Sequence, residues 1–342
     1  MRKLGVFIFG VSLSLMIIST SSSFNDSKYI IAKADAEKKI VYIGGMAAGF
    51  TLKAGGVQII GLCEVMTNDG ICAPALKNGL KIGDKITNVN GIKIESIAEL
   101  NEILNKNKGK QVELDIIRGE NNISITLTPV KDKTTDSYKI GVLAKDNISG
   151  IGTITYIERD THKFGALGHS VAGEDKKELG ISNGMVFECN IIGVNKGIRG
   201  KAGELRGMFL SDKCFGVANK LCDCGIFGII SEDDILDSSS TVLADSSESK
   251  PGAAYIYSTV NGICPEKYQI EIVKIDRFNR DNKDYVIKIT DEKLLDITGG
   301  IVQGMSGSPI IQEGKMIGAI THVFLNDPTR GYAINIETML NE

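Results

Sequence analysis

The predicted fold is decided by the stretch Gly299-Gly300-Ile301-Val302-Gln303-Gly304-Met305-Ser306-Gly307-Ser308-Pro309-Ile310-Ile311. A serine hydroxyl becomes a useful nucleophile only where a base takes its proton and backbone N–H groups stabilise the oxyanion. Gly304 permits a tight turn that brings neighbouring amides together, and Gly307 leaves the Ser306 side chain open to a substrate. The β-branched pair at the end of the stretch begins a strand. The stretch therefore predicts a nucleophile loop, with an ordinary Gly-Ser turn between strands as the alternative.

Two further strands are predicted downstream of Ser306. Residues 314–322 have the pattern of a turn and an apolar strand, and residues 330–335 have that of another strand. The G-x-S-G-x-P spacing and this order of strands resemble the end of the second barrel in chymotrypsin-like serine proteases. The resemblance implies that Ser306 is the nucleophile and that the amides of Gly304 and Ser306 form the oxyanion hole. It also implies that the strand beside the scissile peptide bond contains Thr321, His322 and Val323.

The composition predicts an ordinary globular β protein. The chain has 342 residues, of which 42% are hydrophobic, so it can bury a normal core and has the length of two domains. A net charge of −3 gives no basic bias toward nucleic acid. With 39 Gly, no Trp and 6% aromatic residues, the composition is typical of turn-rich β proteins. From residue 138 onward, roughly a dozen short apolar runs with almost no helical pattern predict two packed β-barrels.

Residues 1–23 have the order of an export signal. Two basic residues precede an apolar run at residues 4–18, and a serine-rich run follows it. The apolar run is short for a stable membrane span. We therefore expect either a cleaved signal peptide or a marginal membrane anchor, followed by an extended polar segment at residues 24–43. Both outcomes place the body of the protein outside the cytoplasm.

The seven cysteines predict neither a metal site nor a defined set of disulfides. Cys222 and Cys224 are separated by one residue, which is too close for an easy mutual disulfide. A zinc site usually takes two such pairs or nearby histidines, and no histidine occurs between His169 and His322. We therefore predict no metal and no cofactor. One disulfide stays open within the set Cys189, Cys214, Cys222, Cys224 and Cys264.

Residues 44–130 have the pattern of a separate domain. Residues 79–91 place a Gly-Asp turn before a strand and an Asn-Gly hairpin turn after it. A helix follows, with Ser96 and Glu99 as a capping box, and two strands close the unit. This order of elements resembles a PDZ domain.

The resemblance to PDZ domains implies that this unit binds peptides. PDZ domains add a peptide strand beside an exposed sheet edge, next to a glycine-containing loop. The matching loop is predicted at Ala48, Gly49 and Phe50, which lead into a strand. A PDZ fold used only as a structural spacer is the alternative. A polar linker at residues 131–137 and a peptidase domain at residues 138–342 are expected to follow.

The catalytic base is predicted among three histidines. His169 lies among small residues and precedes Ser306, as the His, Asp, Ser order of chymotrypsin-like enzymes requires. His162 lies in a charged stretch and is expected to be solvated. His322 is the rival, because it is predicted at the site but on the substrate-pairing strand. We predict that His169 is the base.

Five features of the chain occur together. They are the N-terminal membrane segment, the PDZ pattern, the G-H-S motif at His169, the run at residues 299–311 and the sequence T-H-V-F-L-N-D-P-T that begins at Thr321. This combination resembles the SpoIVB peptidase family of endospore-forming bacteria. The resemblance implies an exported serine endopeptidase that acts in the space between the forespore and mother-cell membranes. Family members cleave themselves and then cut a membrane-bound regulatory complex, which frees an intramembrane metalloprotease to mature a late sigma factor.

The same resemblance implies an orienting acid. Asp291 matches the family's acidic triad member, a short distance before Ser306. The alternative is that Asp291 only caps a short helix, with Asp276, Asp284 and Asp296 as other candidates for the acid. The sequence therefore predicts a PDZ-tethered, chymotrypsin-like serine peptidase whose partners are protein substrates, including itself. A PDZ scaffold that binds partners without cutting them is the alternative function.

Overall fold

The computed structural model describes residues 39–168, 184–231, 240–278 and 281–342, without the side chains of residues 211–213. Within these ranges the strands are, in order, β1 (Lys39–Ile43), β2 (Ala47–Leu62), β3 (Val65–Thr67), β4 (Gly70–Cys72), β5 (Lys85–Val89), β6 (Ile92–Lys93), β7 (Val112–Arg118), β8 (Asn121–Leu127), β9 (Val130–Lys131), β10 (Tyr138–Lys139), β11 (Val142–Glu158), β12 (Lys163–Leu167), β13 (Gly184–Asn195), β14 (Glu204–Cys222), β15 (Gly225–Ile230), β16 (Thr241–Ala244), β17 (Gly252–Ser258), β18 (Glu266–Ile275), β19 (Tyr285–Ile289), β20 (Pro309–Gln312), β21 (Lys315–Phe324) and β22 (Asp327–Asn335). The helices are α1 (Pro74–Lys77), α2 (Ile97–Lys106), α3 (Glu292–Thr298) and α4 (Ile336–Leu340). The prediction of a mainly β chain is confirmed.

Two predicted features lie outside the described residues. They are the N-terminal signal or anchor at residues 1–23 and the predicted base, His169. The first 15 residues of the predicted extended segment, 24–38, lie outside them as well. Across the ranges that the structure does describe, none of the helices has both the length and the apolar character needed to cross a membrane.

Six antiparallel strands close into a first barrel. β2 pairs with β11, β11 with β12, β12 with β15, β15 with β14 and β14 with β13, which returns to β2. Side chains of a closed sheet point alternately inward and outward, so the apolar positions of the strands meet inside the ring. Phe50, Ile154, Phe164 and Val186 are buried there.

A second barrel has the same form. β17 pairs with β18, β18 with β19, β19 with β22, β22 with β21 and β21 with β20, which returns to β17. Its core contains Tyr268, Ile287, Ile310 and Ile320. The two rings agree with the two barrels that the apolar runs predict.

A further apolar cluster joins residues of the two barrels. It contains Tyr156 and Phe227 of the first barrel, Ile311 of the second, and Met339 of α4. β1 extends the contact, because it pairs with β11 on one edge and with β16 on the other, and β16 lies parallel to β21. The barrels are therefore held together by shared core and by shared sheet.

The PDZ unit is an insertion into the first barrel. β2 and β11 are separated by about 80 residues of sequence, yet they pair from Ala47 with Thr153 at the barrel end to Leu62 with Val142 at the other end. Elements β3 to β10, with α1 and α2, lie between these two strands in the sequence. The two long strands thus extend from the barrel into the PDZ unit, with irregular pairing where Lys145 opposes Gln58 and Asn147 opposes Lys53.

This arrangement corrects the predicted peptide-binding loop. Ala48, Gly49 and Phe50 do not form a loop: they lie near the start of β2, paired with β11 on one edge and with β13 on the other. Phe50 is fully buried in the core of the first barrel. A pattern of alternating small and apolar residues is compatible with a barrel strand and with the start of a PDZ domain. The pairing with β11 and β13 assigns these residues to the barrel. The first half of β2 therefore belongs to the barrel and not to a domain that starts at residue 44.

The predicted linker is also structured. Asp132 accepts hydrogen bonds from the amides of Thr134 and Thr135, at 3.0 and 2.8 Å, inside a turn that joins β9 to β10. Lys133 donates from its amide to the carbonyl oxygen of Met66 at 2.7 Å. Residues 131–137 therefore close the PDZ unit and are not a free polar tether.

The helix prediction inside the PDZ unit is confirmed. The amide of Glu99 donates to Ser96 Oγ at 3.2 Å, and Glu99 Oε2 accepts from the amide of Glu95 at 2.7 Å. α2 therefore begins with the predicted cap at Ser96, and the return bond from Glu99 reaches one residue before the cap position of a standard capping box. The Gly-Asp turn before β5 is held by Asp84, which is buried and accepts from Arg118 at 2.7 Å and from the amide of Lys81 at 2.8 Å. Burial opposes ionisation of Asp84, but these bonds outweigh it and lower the pKa of the carboxyl below its ordinary value.

Candidate active site

Ser306 lies in a loop between α3 and β20, at the edge of the second barrel. Its side chain is 4% exposed, and Oγ donates a hydrogen bond to the carbonyl oxygen of Thr321 at 2.8 Å. Thr321 belongs to β21, the strand that the sequence places beside the substrate. The structure therefore brings Ser306 and this strand together.

The second hydroxyl of the stretch has a different position. Ser308 is fully buried, and its Oγ donates to Ser258 Oγ at 3.0 Å. The amide of Ser308 donates to the carbonyl of Met305, and its carbonyl accepts from the amide of Ile320. Ser308 is thus a fixed part of the loop and is unsuited to be the nucleophile.

Two glycines shape the loop on either side of Ser306. Gly304 has φ of 96° and Gly307 has φ of 98°, both in the left-handed region that side chains disfavour. A Cβ at Gly307 would lie 2.2 Å from the carbonyl oxygen of Thr153 and 3.0 Å from the amide of Leu167. Those two residues belong to β11 and β12. The nucleophile loop of the second barrel is therefore in direct contact with the first barrel.

Two threonines of β11 hold this contact. Thr153 Oγ1 donates to the carbonyl oxygen of Gly304 at 2.6 Å, and Thr155 Oγ1 donates to that of Gly307 at 2.8 Å. Both side chains are buried. The carbonyls on both sides of Ser306 are therefore fixed by hydroxyls from the first barrel.

The backbone amides of the loop have unequal roles. The amide of Met305 donates to the carbonyl of Val302 at 3.1 Å, and that of Gly307 donates to Ile320 at 2.8 Å. The amides of Met305 and Gly307 therefore already donate hydrogen bonds within the fold. The prediction that Gly304 and Ser306 provide the oxyanion hole stays a prediction.

The histidines are separated by position. His162 follows β11 at the turn into β12, and its carbonyl accepts from the amide of Ile230. The opposite end of β12, at Leu167, contacts the Ser306 loop, so roughly 15 Å of strand lies between the two ends. His322 is exposed, whereas Thr321 before it is buried, because neighbouring strand residues face opposite sides. Val323 is half-buried and packs against the core of the second barrel.

Asp291 occupies the N-cap of α3. Its Oδ1 accepts from the amide of Leu294 at 3.0 Å, and its Oδ2 accepts from the amide of Gln269 at 3.1 Å. This is the capping role that the sequence offered as the alternative. A carboxylate has room for further hydrogen bonds beyond these two. An orienting role for Asp291 stays a prediction.

The other candidate acids either accept hydrogen bonds from backbone amides elsewhere or lie on an exposed helix face. Asp276 accepts from the amide of Phe278 at 3.3 Å, and Asp284 accepts from that of Asn335 at 2.9 Å. Asp296 lies on the exposed side of α3. Asp276 and Asp284 therefore support a turn and a strand end.

The family of the chain is decided by its sequence profile. The profile described as SpoIVB peptidase S55 matches residues 136–340, which is more than half of the chain, and a PDZ domain profile matches residues 58–128. The chain belongs to the SpoIVB peptidase S55 family. The PDZ match begins within β2, where the structure takes this strand out of the barrel.

Curated relatives of this SpoIVB-family peptidase match only in part. A putative zinc metalloprotease of Lactococcus lactis is 32% identical over 113 residues, which cover 31% of this chain and 26% of the relative. A probable periplasmic serine endoprotease, DegP-like, of Pseudomonas putida is 30% identical over 118 residues, which cover 34% and 22%. The chain thus spans about a quarter of the length of these relatives.

Solved structures share low identity with the chain. The Rv3671c protease of M. tuberculosis, in its inactive form, is 15% identical, covers 57% of this chain and 83% of its own, and has a TM-score of 0.34. The PDZ domain of an SdrC-like protein from Listeria monocytogenes is 19% identical, covers 27% and 90%, and has a TM-score of 0.22.

The sequence analysis of this SpoIVB-family chain missed Thr153 and Thr155. Their partners, Gly304 and Gly307, are about 150 residues away, so local pattern alone does not reveal the pairs. One signal was present: two threonines at alternate positions share one face of an otherwise apolar strand. Buried hydroxyls on such a face need acceptors, and only the folded chain shows which ones.

Proposed function

We propose that the chain is a chymotrypsin-like serine endopeptidase with Ser306 as the nucleophile and His169 as the base. The observation that carries the proposal is the double support of the Ser306 loop. β21 contacts the Ser306 hydroxyl, while β11 and β12 of the other barrel contact the glycine that follows it. Ser306 lies where the two barrels contact each other, so a base carried by the first barrel can reach its hydroxyl.

The position of β12 supports His169 as that base. Leu167 ends this strand against Gly307, and His169 follows two residues later. Two residues of chain span at most about 7 Å, and this short distance in sequence from Leu167 supports the choice of His169. His162 is attached to the far end of the same strand and lacks this proximity.

The proposed chemistry begins with a proton transfer. Ser306 Oγ now donates to the carbonyl of Thr321, and it must turn to donate to the imidazole of His169. The hydroxyl oxygen then attacks the scissile carbonyl carbon, while His169 takes the proton and later gives it to the leaving amine. The amides of Gly304 and Ser306 are proposed to bind the oxyanion, and Asp291 to orient the base.

The PDZ unit offers a place for peptides along the first part of β11. Over residues 142–148, β11 pairs with β2 on one edge, and its other edge faces α2. The amide of Ile97 donates to Asp146 Oδ2 of β11 at 2.8 Å, which fixes the start of α2 to this strand. The amide of Tyr138 in β10 donates to Asn105 Oδ1 at 2.8 Å, which fixes the other end of α2 to the strand before β11. We propose that substrate segments add as a strand between β11 and α2.

The biological role follows from the family and from the N-terminal pattern. We propose that the peptidase acts outside the cytoplasm, in the space between forespore and mother-cell membranes, and is attached there through its N-terminal segment. Its proposed substrates are itself and a membrane-bound regulatory complex whose cleavage triggers maturation of a late sigma factor. The export pattern at residues 1–23 supports this location.

Self-processing has a structural limit. β1 pairs with β11 and with β16, so a cut inside Lys39–Ile43 would need both pairings to open. We therefore expect the mature form to begin between residues 24 and 38. Purified protein should shorten to such a form, as measured by N-terminal sequencing and intact mass, whereas Ser306→Ala should stay full length.

A fluorophosphonate probe tests the central proposal. The probe should label Ser306 in the full chain and should not label Ser306→Ala. The burial of Ser306 and its bond to Thr321 favour the second candidate, a PDZ scaffold without peptidase activity. An unlabelled, correctly folded chain that still binds peptides would support the scaffold and remove the proposed peptidase function.

A further inference from the structure

The hairpin between β14 and β15 brings two thiols together. β14 ends at Cys222 and β15 begins at Gly225, which pairs with Cys222, so Cys224 lies in the tight turn between them. The two sulfur atoms are 2.9 Å apart. Cys224 is buried and Cys222 is half-buried.

A carboxylate from a distant part of the chain completes the group. Glu342 follows α4, and its Oε1 lies 3.1 Å from the sulfur of Cys224, across 118 residues of sequence. The donor atoms of Cys222, Cys224 and Glu342 all lie within 4.8 Å of one another. The sequence analysis predicted no metal here because it found neither a second cysteine pair nor a histidine near these cysteines. The fold supplies Glu342 as a third ligand.

We propose that Cys222, Cys224 and Glu342 bind a zinc ion. Tetrahedral zinc with Zn–S near 2.3 Å and Zn–O near 2.0 Å needs sulfur atoms about 3.8 Å apart and sulfur–oxygen distances of about 3.5 Å. The observed separations require the two sulfurs to part by about 1 Å, which rotation of their side chains can provide. Thiolate ligands favour zinc over magnesium or calcium.

The charges around the group support a divalent cation. Two thiolates and one carboxylate carry three negative charges, and the ammonium of Lys220 contacts the Glu342 carboxylate. Adding one zinc ion brings the sum of these charges to zero. The same Lys220 Nζ also donates to the carbonyl oxygen of Glu342 at 3.1 Å. This second bond holds the ammonium on the backbone side of Glu342 and leaves the sulfur side to the metal.

A cavity lies on the Glu342 side of the group, and neither cysteine is among the residues that line it. It has a volume of about 240 Å³, and its lining includes Glu342, Lys220 and Tyr156. A water molecule fits in this space as the remaining ligand. Three protein ligands and one water complete a four-coordinate site.

The position of the site indicates what zinc does. Met339 of α4 is buried in the cluster that joins the two barrels, and its carbonyl accepts from Tyr156 Oη of β11 at 3.1 Å. Zinc would tie the segment after α4 to the β14–β15 hairpin of the first barrel. The metal therefore stabilises the packing of α4, at a distance from the proposed chemistry at Ser306. A mutual disulfide would leave the convergent Glu342 without a role.

Cobalt titration of the reduced, metal-free full chain tests the site, with Ser306→Ala as the background so that the chain stays intact. One equivalent of Co²⁺ should give a thiolate-to-cobalt charge-transfer band, and zinc should displace it. Cys222→Ser and Cys224→Ser should lose the band, and Glu342→Gln should weaken binding at least about 10-fold, since even indirect changes at metal sites cost that much. The exposed Cys214 and Cys264 provide matched controls: Cys214→Ser and Cys264→Ser should keep the full band.

Thermal unfolding provides a second measurement. Zinc should raise the unfolding temperature of the intact site and of both control variants, but not that of Cys222→Ser. A cobalt band that survives in Cys222→Ser, or no band at one equivalent, would overturn the proposal. A disulfide between Cys222 and Cys224 that persists in the presence of thiols and zinc would overturn it as well. If the cysteine variants do not fold, Glu342→Gln, an exposed change, still decides the outcome.

Discussion

Thr153 Oγ1 of the first barrel donates a hydrogen bond of 2.6 Å to the carbonyl oxygen of Gly304 in the nucleophile loop of the second. Both atoms are buried, so the bond has no water to replace it. It fixes the peptide unit two residues before Ser306. The first barrel therefore positions the nucleophile loop as well as leading to the proposed base.

Thr153→Val should slow the reaction of Ser306. Valine keeps the shape of threonine but leaves the Gly304 carbonyl buried without a partner, at a cost of about 1–3 kcal/mol. We expect the rate of fluorophosphonate labelling to fall, and Thr153→Ser, which restores a hydroxyl, to recover most of it. The matched control is Thr126→Val, at an exposed position of β8. Equal labelling by Thr153→Val and wild type, at equal stability, would contradict a positioning role.

Asp291→Asn separates two roles of Asp291. Asparagine caps helices as well as aspartate does, so the bond from Leu294 at the start of α3 should be kept. Its single acceptor oxygen loses the bond from the amide of Gln269, so we expect the free energy of unfolding to fall by about 1 kcal/mol. If Asp291 orients the base, loss of its charge should lower the labelling rate by about four orders of magnitude. We expect that loss, measured beside the unfolding curve. Labelling at the wild-type rate would leave Asp291 as a helix cap and require another orienting group.

Phe50→Ala tests the corrected position of Phe50. Removing a fully buried ring from the first barrel should cost about 3–5 kcal/mol of unfolding free energy. Probe labelling and cleavage of protein substrates should fall together, because the barrel itself is damaged. The matched control is Phe278→Ala, whose ring is 93% exposed and should change stability by less than about 0.5 kcal/mol. Loss of substrate cleavage with full labelling and full stability would instead restore the peptide-loop interpretation.

Much of this architecture is predictable from local pattern. Alternating apolar runs identify the strands of the second barrel, the glycines around Ser306 identify the nucleophile loop, and Ser96 with Glu99 identifies the start of α2. Each of these signals lies within a few residues of sequence. Backbone preference and side-chain periodicity act over that range.

The remaining features depend on distant pairing. β2 was assigned to the PDZ unit because its partners, β11 and β13, are separated from it by a whole inserted domain. The Thr153–Gly304 bond spans 151 residues, and the contact of Cys224 with Glu342 spans 118. The apolar pattern of a strand does not specify which other strand it pairs with. These contacts form only when the barrels close, and the spacing of residues along the sequence does not predict that closure.

The PDZ unit should lose stability in acid through Asp84. Its carboxyl has a lowered pKa in the folded chain, so its contribution is present above the pKa of the unfolded carboxyl, about 3.9, and is lost as the pH falls through the folded value. Asp84→Asn should cost about 2–3 kcal/mol at neutral pH and should flatten the acid limb of the stability curve. The control is Asp136→Asn at an exposed ion pair with Lys131, which should stay within about 0.5 kcal/mol. Urea unfolding at several pH values measures both, and an unchanged acid limb in Asp84→Asn would contradict the assignment.

The choice between His169 and His322 rests on geometry. A base must reach the Ser306 hydroxyl, whereas the exposed His322 on β21 is expected to contact the peptide being cut. Removing the base should lower the chemical rate by about four orders of magnitude, and the loss should be hardly greater when Ser306 is removed too, because the members of a triad act as a unit. We therefore expect His169→Ala to abolish probe labelling and turnover, and His322→Ala to keep measurable labelling with altered peptide preference. His162→Ala, at the far end of β12, is the matched control and should label like the wild type. An unlabelled His322→Ala beside an active His169→Ala would move the base to β21 and leave β12 with only a structural contact to the loop.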